Sequence, residues 1–158
     1  MSEEKELKQA RAVYKALCEM LDEHDWHYER NDEGLSISCG AQGDDLPMDI
    51  NIEVDRERKL VILLSKMPFT VPEKRRMHLA VAVSQANNGM VDGSFDYDCL
   101  GGSIIFRLTT SYRESLIGKE LLAYMLMCAC STIDHYNDKF FAVAKNEMSV
   151  EEILKYIN

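Results

Sequence analysis

The chain begins with apolar residues spaced three and four positions apart, which is typical of a helix that buries one face. Within residues 3–24 this stripe consists of Leu7, Ala10, Tyr14, Leu17 and Leu21, widened by Val13 and Cys18. Glu and Lys side chains fill the other side of the helix. The pattern therefore predicts a first helix that covers a core with one side.

Four strands are predicted next, because the apolar spacing changes from helical to alternating. The first, residues 26–30, is short. Two strands then alternate apolar and polar positions, Leu35–Cys39 and Met48–Val54, which favours an antiparallel sheet. A tight polar connection at Asp55–Arg58 leads to Leu60–Leu64, which is apolar at every position. We expect this fourth strand to be central and covered on both faces.

A second helix is predicted from a capping box, with Thr70 as N-cap and Glu73 reaching back to it. Pro72 would lie in its first turn, where the missing N–H costs little. We expect the helix to end at Asn87–Gly89.

A hairpin is predicted around Gly101 and Gly102. With Cys99–Gly102 as the loop, Tyr97 lies opposite Ile104 and Phe95 lies opposite Phe106, so the apolar pairs share one face.

Two more helices complete the chain. The third is predicted over residues 116–145, with an apolar stripe of Leu122, Met125, Ala129, Ile133, Tyr136, Phe140 and Val143. A second capping box, Ser149–Glu152, starts a short last helix. The order α-β-β-β-β-α-β-β-α-α predicts an α+β fold, an antiparallel sheet with helices packed on one face. We expect a single domain over residues 1–158.

Charge and cysteine content narrow the possible partners and location. The net charge of -9 argues against binding nucleic acid or an anionic membrane, and the only basic run, Lys74–Arg76, is short. A protein partner with basic or mixed charge is compatible with this net charge. The charged N-terminus lacks the apolar core of a secretory signal, and the five cysteines are irregularly spaced. We therefore expect free thiols and a cytoplasmic location, and the longest apolar run, residues 121–130, is too short to cross a membrane.

The candidate chemical groups have simpler structural interpretations. His24 and His27 have neighbouring carboxylates but lack a third ligand, so no metal is expected. Asp96 and Asp98 share a strand face, where Arg107 can pair diagonally with Asp96. Asp44, Asp45 and Asp49 lack calcium-loop spacing and are interpreted as a polar loop. Because no catalytic or phosphate-binding motif is present, we expect no enzyme activity and no cofactor.

The third helix contains the main candidate site. Residues 121–130 carry no charge on any side, although a helix on one sheet needs only one apolar stripe. Four apolar residues of this segment point away from that stripe and need a second surface to cover them, namely Leu121, Tyr124, Met127 and Cys128. The cover is either a homodimer or partner interface, or the first or last helix of the same chain.

Turn glycines and core aromatics lie in Asn87–Gly89, Gly93–Asp98 and Gly101–Arg107, and the later helix contains Ile133–Tyr136 and Phe140. In these segments the chain resembles the YbjN-type domain family of bacterial sensory transduction regulators. The resemblance covers roughly residues 5–145 and implies a fold similar to type III secretion chaperones, which are small acidic homodimers that bind an extended protein segment. An extra strand and the final helix depart from the minimal chaperone pattern.

The resemblance implies a protein-binding module, chaperone-like or regulatory, that acts as a homodimer on a protein or peptide partner. The alternative is a small-molecule sensor or an enzyme with a dispersed site, which predicts a deep pocket with convergent polar groups. A third option is a domain that only self-associates.

Overall fold

A computed structural model describes residues 3–157, which form four α-helices and six strands. The helices are α1 (Glu3–Glu23), α2 (Arg76–Asn87), α3 (Lys119–Ala144) and α4 (Val150–Tyr156). The strands are β1 (Tyr28–Asn31), β2 (Ser36–Gln42), β3 (Pro47–Asp55), β4 (Leu60–Lys66), β5 (Ser94–Tyr97) and β6 (Ile104–Ser111). The predicted α+β class and the order of elements are confirmed.

The six strands form one sheet in the order β1-β2-β3-β4-β6-β5, and every neighbouring pair is antiparallel. Helices α1 and α3 lie against the middle strands, α2 lies against β5, and α4 packs on α2. Most inward positions of the strands from β2 to β6 are buried, whereas the outward positions are half-buried or exposed. One layer of helices therefore covers one face of the sheet, and the other face is open.

The expectation that the fourth strand is covered on both faces is wrong. Strand β4 is central, and its inward residues Val61 and Leu63 are fully buried. Its outward residues Leu60 and Ile62 are only half-buried, and Leu64 is exposed. The reason is that no element of residues 3–157 packs on that face of the sheet.

The capping box predicted at Thr70 is also wrong. Residues 73–75 form a 3-10 turn, α2 starts only at Arg76, and neither start has a side-chain cap. The backbone N–H of Val71 donates to the carbonyl of Gly102 at 2.8 Å, and Pro72 is extended with ψ 143°. Residues 70–72 are therefore held as a strand-like segment beside the β5–β6 loop and cannot begin a helix.

The other local predictions are confirmed. Strand β5 pairs with β6 in the predicted register, with Phe95 opposite Phe106 and Tyr97 opposite Ile104. Helix α2 ends before Gly89, whose φ is +80°. Both halves of the Ser149–Glu152 capping box are present at α4. Helix α3 starts three residues later than residue 116, because Gly118 is its extended N-cap.

Candidate functional site

Helix α3 has an uncovered apolar surface opposite its buried stripe. Leu121, Tyr124 and Met127 are 41%, 53% and 58% exposed, and Cys128 is half-buried. Helices α1 and α2 pack against other sides of α3, and α4 packs on α2. Within residues 3–157, Leu121, Tyr124 and Met127 therefore remain largely uncovered, whereas Cys128 is partly packed against the core. We call these four residues the α3 ridge, and their role as an interface stays a prediction.

The two sides of the α3 ridge face different neighbours. The hydroxyl of Tyr124 donates to the carboxylate of Asp92 in the α2–β5 loop, and this hydrogen bond raises the pKa of Tyr124. Val91 beside it is 92% exposed. Since successive residues of a helix are about 100° apart, Met127 lies about 60° further round than Tyr124. Met127 lies towards the flank where β2 ends and β3 begins.

A groove of about 310 Å³ lies on that flank. Its apolar lining comes from four separate parts of the chain and consists of Trp26, Ala41, Met48, Met127 and Cys130. Burial, followed by the charge of Asp134, raises the pKa of Cys130 to about 11, so its thiol is neutral near pH 7. We call this feature the Trp26 groove.

One rim of the Trp26 groove is formed by a contact between α3 and the β2–β3 loop. The carboxylate of Asp134 accepts a hydrogen bond from the backbone N–H of Asp44 at 2.9 Å. Gly43 lies so close that an added Cβ would be 1.9 Å from the same carboxylate. With the Asp134 carboxylate in this position there is no room for a Cβ at residue 43, so a larger residue there would require the carboxylate to move.

Negative charge is concentrated beside the groove. Desolvation by the surrounding protein and the charges of Asp138, Asp134 and Asp44 raise the pKa of Asp45, and the charge of Lys139 opposes them. The sequence grouped Asp44 and Asp45 with Asp49, but Asp49 lies in β3 on the open sheet face. Sequence reasoning missed the partnership with Asp134 and Asp138, because these residues follow about ninety positions later.

The open sheet face offers a second uncovered surface. Its apolar part lies on β4 and β6 and consists of Leu60, Ile62, Leu64 and Ile105. Beside it, a hollow of about 630 Å³ over β1–β3 is lined by polar residues that include His27, Glu29, Ser38, Asp49 and Asn51. This hollow is open along the sheet, unlike the deep pocket expected for a small-molecule sensor.

The remaining candidate groups have structural partners. The guanidinium of Arg107 donates to Asp96 at 2.7 and 2.9 Å, which confirms the predicted diagonal pair. Asp98 instead accepts from the backbone N–H of Leu100 at 2.9 Å, so the two carboxylates have separate roles. The Nδ1 atom of His24 lies 2.9 Å from the carbonyl of Met20. Across residues 3–157, no group of three or more His, Cys, Asp or Glu side chains could hold a metal ion.

The five cysteines are all free, as predicted. Cys128 belongs to the α3 ridge and Cys130 to the Trp26 groove, so the two point to different sides of the helix. None of the four helices, as far as they are described, has a stretch apolar and long enough to cross a bilayer.

Comparison with known proteins identifies relatives of this fold. A family described as "Putative bacterial sensory transduction regulator", YbjN, matches residues 14–142. The crystal structure of YbjN from E. coli, described as "a putative transcription regulator", is similar with a TM-score of 0.59 and 13% identity, over 84% of this chain and 92% of that chain. A chain of the HopA1–SchA chaperone–effector complex is similar with a TM-score of 0.52 and 12% identity, over 80% and 95%. At these identities the likeness shows the fold alone, and no curated protein sequence matches significantly.

Proposed function

The chain belongs to the YbjN family, and from this premise we propose that it is a non-enzymatic protein-binding module, chaperone-like or regulatory, that acts as a homodimer in the cytoplasm. The α3 ridge is the observation that carries this proposal. It presents Leu121, Tyr124 and Met127 to solvent on a helix segment without charge. Exposed apolar patches of this kind are typical of protein interfaces, where Tyr and Met are enriched.

In the proposed homodimer, two copies meet through the α3 ridge. A stable interface needs about 800 Å² from each partner, which is more than four side chains provide. The α2–β5 loop extends the surface, because Tyr124 is hydrogen-bonded to Asp92 and Val91 beside it is exposed. The α3 ridge itself carries no charge, so its burial adds no contact between acidic side chains, although each chain carries a net charge of -9.

The likeness to a chain of a chaperone–effector complex supports a protein segment as the partner. Segments of this kind bind to sheet edges and apolar grooves. The chain offers two such surfaces, the Trp26 groove and the apolar part of the open sheet face.

Light scattering at micromolar concentration tests the homodimer. The expected mass is twice the 18.1 kDa of the chain. Tyr124→Glu places a charge in the α3 ridge and should give a monomer. Met77→Glu makes the same kind of change at an exposed side chain of α2 and should leave the dimer intact. A wild-type monomer at these concentrations would contradict the dimer.

Protein binding is tested separately by affinity capture and mass spectrometry. A specific partner should be recovered with the wild type and with Met77→Glu. Repeated recovery of no specific partner by either protein would count against the binding module itself.

A further inference from the structure

The Trp26 groove is an open depression with a size and an apolar lining that suit one large apolar side chain. Its volume is about 310 Å³, and its apolar lining consists of Trp26, Ala41, Met48, Met127 and Cys130. Methionines line it from two directions, and this flexible side chain adapts to apolar ligands of varied shape. The groove lies beside the α3 ridge and shares Met127 with it.

The charge beside this groove is mainly negative. Asp134 forms part of its rim and holds Asp44 by a 2.9 Å hydrogen bond. The pKa of Asp45 is raised first by desolvation and then by the nearby charges of Asp138, Asp134 and Asp44. The neighbouring cation, Lys139, donates to the carbonyl of His135 and lies over the ring of Tyr156, 5.6 Å from its centroid. Four carboxylates are thus gathered beside an apolar groove, with Lys139 as their neighbouring cation.

We propose that the Trp26 groove binds a partner protein through an apolar side chain that Arg or Lys residues flank in the partner's sequence. The groove holds the apolar anchor, and the carboxylates of Asp44, Asp45, Asp134 and Asp138 face the flanking cations. Complementary charge at a rim increases the association rate and selects against acidic partners. The net charge of -9 on each copy disfavours a second copy of this chain as the occupant on overall electrostatics. This inference rests on the proposed protein-binding function and names the partner's chemistry.

The groove contains an intrinsic fluorescent probe. Trp26 is the only tryptophan of the chain, so the fluorescence of the full-length protein reports directly on the groove. The probe is an eleven-residue Gly/Ser peptide with a central Leu and two Arg residues on each side, labelled with fluorescein for anisotropy and unlabelled for tryptophan emission. One matched peptide replaces Leu by Ser, and another replaces every Arg by Glu.

We expect the Leu/Arg peptide to bind and to shift the Trp26 emission maximum. Replacing Leu by Ser removes the buried anchor, and affinity should fall at least about ten-fold. The Glu peptide should bind at least about ten-fold more weakly as well. Binding of the Arg peptide should weaken at about 0.5 M NaCl, because salt screens the rim charges.

Variants of the protein locate the peptide. Asp45→Asn and Asp138→Asn each remove one rim charge and should lower affinity about three-fold. Asp49→Asn removes the same charge from the open sheet face and should leave affinity unchanged. Ala41→Phe fills the groove and should abolish the Trp26 response. If Ala41→Phe fails to fold, as judged by circular dichroism, the three Asp variants still decide the question.

The possible outcomes distinguish a failure of the groove proposal from a failure of protein binding in general. Equal binding of the Arg and Glu peptides, or no binding of the Leu/Arg peptide, would overturn the proposal that the partner segment is cationic. Binding that leaves Trp26 emission unchanged and is weakened by Asp49→Asn would place the segment on the sheet face, so the groove would be wrong and protein binding would stand. A Trp26 emission that depends on protein concentration in the wild type but not in Tyr124→Glu would show a second copy in the groove and would also overturn the proposal. Failure of protein binding itself appears separately, as the absence of any partner in affinity capture.

Discussion

The carboxylate of Asp134 in α3 accepts a hydrogen bond from the backbone N–H of Asp44, which lies ninety residues earlier in the chain. This 2.9 Å contact ties the β2–β3 loop to the helix and forms one rim of the Trp26 groove. Gly43 lies directly against the same carboxylate. The shape of the groove therefore depends on the fit between one small residue and one acidic residue from distant parts of the sequence.

A double-mutant cycle tests this contact. Gly43→Ala places a Cβ where the carboxylate lies, so Asp134 must rotate away and release Asp44. We expect Gly43→Ala and Asp134→Ala each to lower the free energy of unfolding by about 1 kcal/mol. Because both changes break the same hydrogen bond, the double variant should cost clearly less than their sum.

Urea denaturation measures all three variants. Gly40→Ala serves as a control, since a Cβ there would meet only the carbonyl of Met48 at an ordinary 3.9 Å. Full additivity of Gly43→Ala and Asp134→Ala would show that the two residues do not act on each other.

Gly102 and Gly89 allow steric clash to be separated from backbone strain. Their φ angles are +81° and +80°, so alanine is strained at both positions, by about 1–2 kcal/mol. At Gly89 an added Cβ meets nothing within 4 Å, whereas at Gly102 it lies 2.5 Å from the carbonyl oxygen of Val71. Gly102→Ala should therefore destabilise the protein by about 1–3 kcal/mol more than Gly89→Ala.

Thermal and urea denaturation of the two variants provide the comparison. Equal losses would mean that the segment containing Val71 moves aside without cost. That result would contradict the view that the Val71–Gly102 contact holds residues 70–72 extended and delays the start of α2.

Asp55 is expected to make stability depend on pH. The backbone N–H of Arg58 donates to Asp55 at 2.8 Å, and this bond is the main reason that the pKa of Asp55 is lowered. Its ionised form therefore stabilises the fold above its unfolded pKa of about 3.9, and this stabilisation is lost as the pH falls through the lower folded pKa. Asp55→Asn should cost about 1–2 kcal/mol at neutral pH and progressively less below about pH 4.

Urea denaturation between neutral and acidic pH measures this difference. Asp49→Asn, on the open sheet face, is the control for loss of one negative charge. A cost of Asp55→Asn that stays constant down to low pH would show that the charge of Asp55 is not the stabilising feature.

Local patterns were sufficient for most of the fold. The β5–β6 register followed from pairing Phe95 with Phe106 and placing Gly102 in the turn, and both rest on neighbouring residues. The Ser149 cap was equally local. The Thr70 cap failed because Gly102, a distant partner in the sequence, holds Val71 extended. A tertiary hydrogen bond outweighed a local preference there.

Only part of the candidate site could be predicted from the sequence, for the same reason. The α3 ridge appears in the sequence as an uncharged run, so Leu121, Tyr124 and Met127 could be named in advance. The Trp26 groove combines Trp26, Ala41 and Met48 with that run, and no local pattern joins them. The surplus of apolar residues at 121–130 was the available signal that something lies beside the helix.

Leu63 and Leu64 test whether the second face of β4 is open in solution. They are neighbours of the same residue type, but Leu63 is fully buried under the helices and Leu64 is 37% exposed on the open face. Leu63→Ala should cost about 2–5 kcal/mol of unfolding free energy because it leaves a cavity. Leu64→Ala should cost less than about 1 kcal/mol, because much of its surface already contacts water. Urea denaturation at several protein concentrations checks both values. Equal costs that grow with protein concentration would mean that another copy covers the sheet, and the fully apolar sequence of β4 would then have an intermolecular explanation.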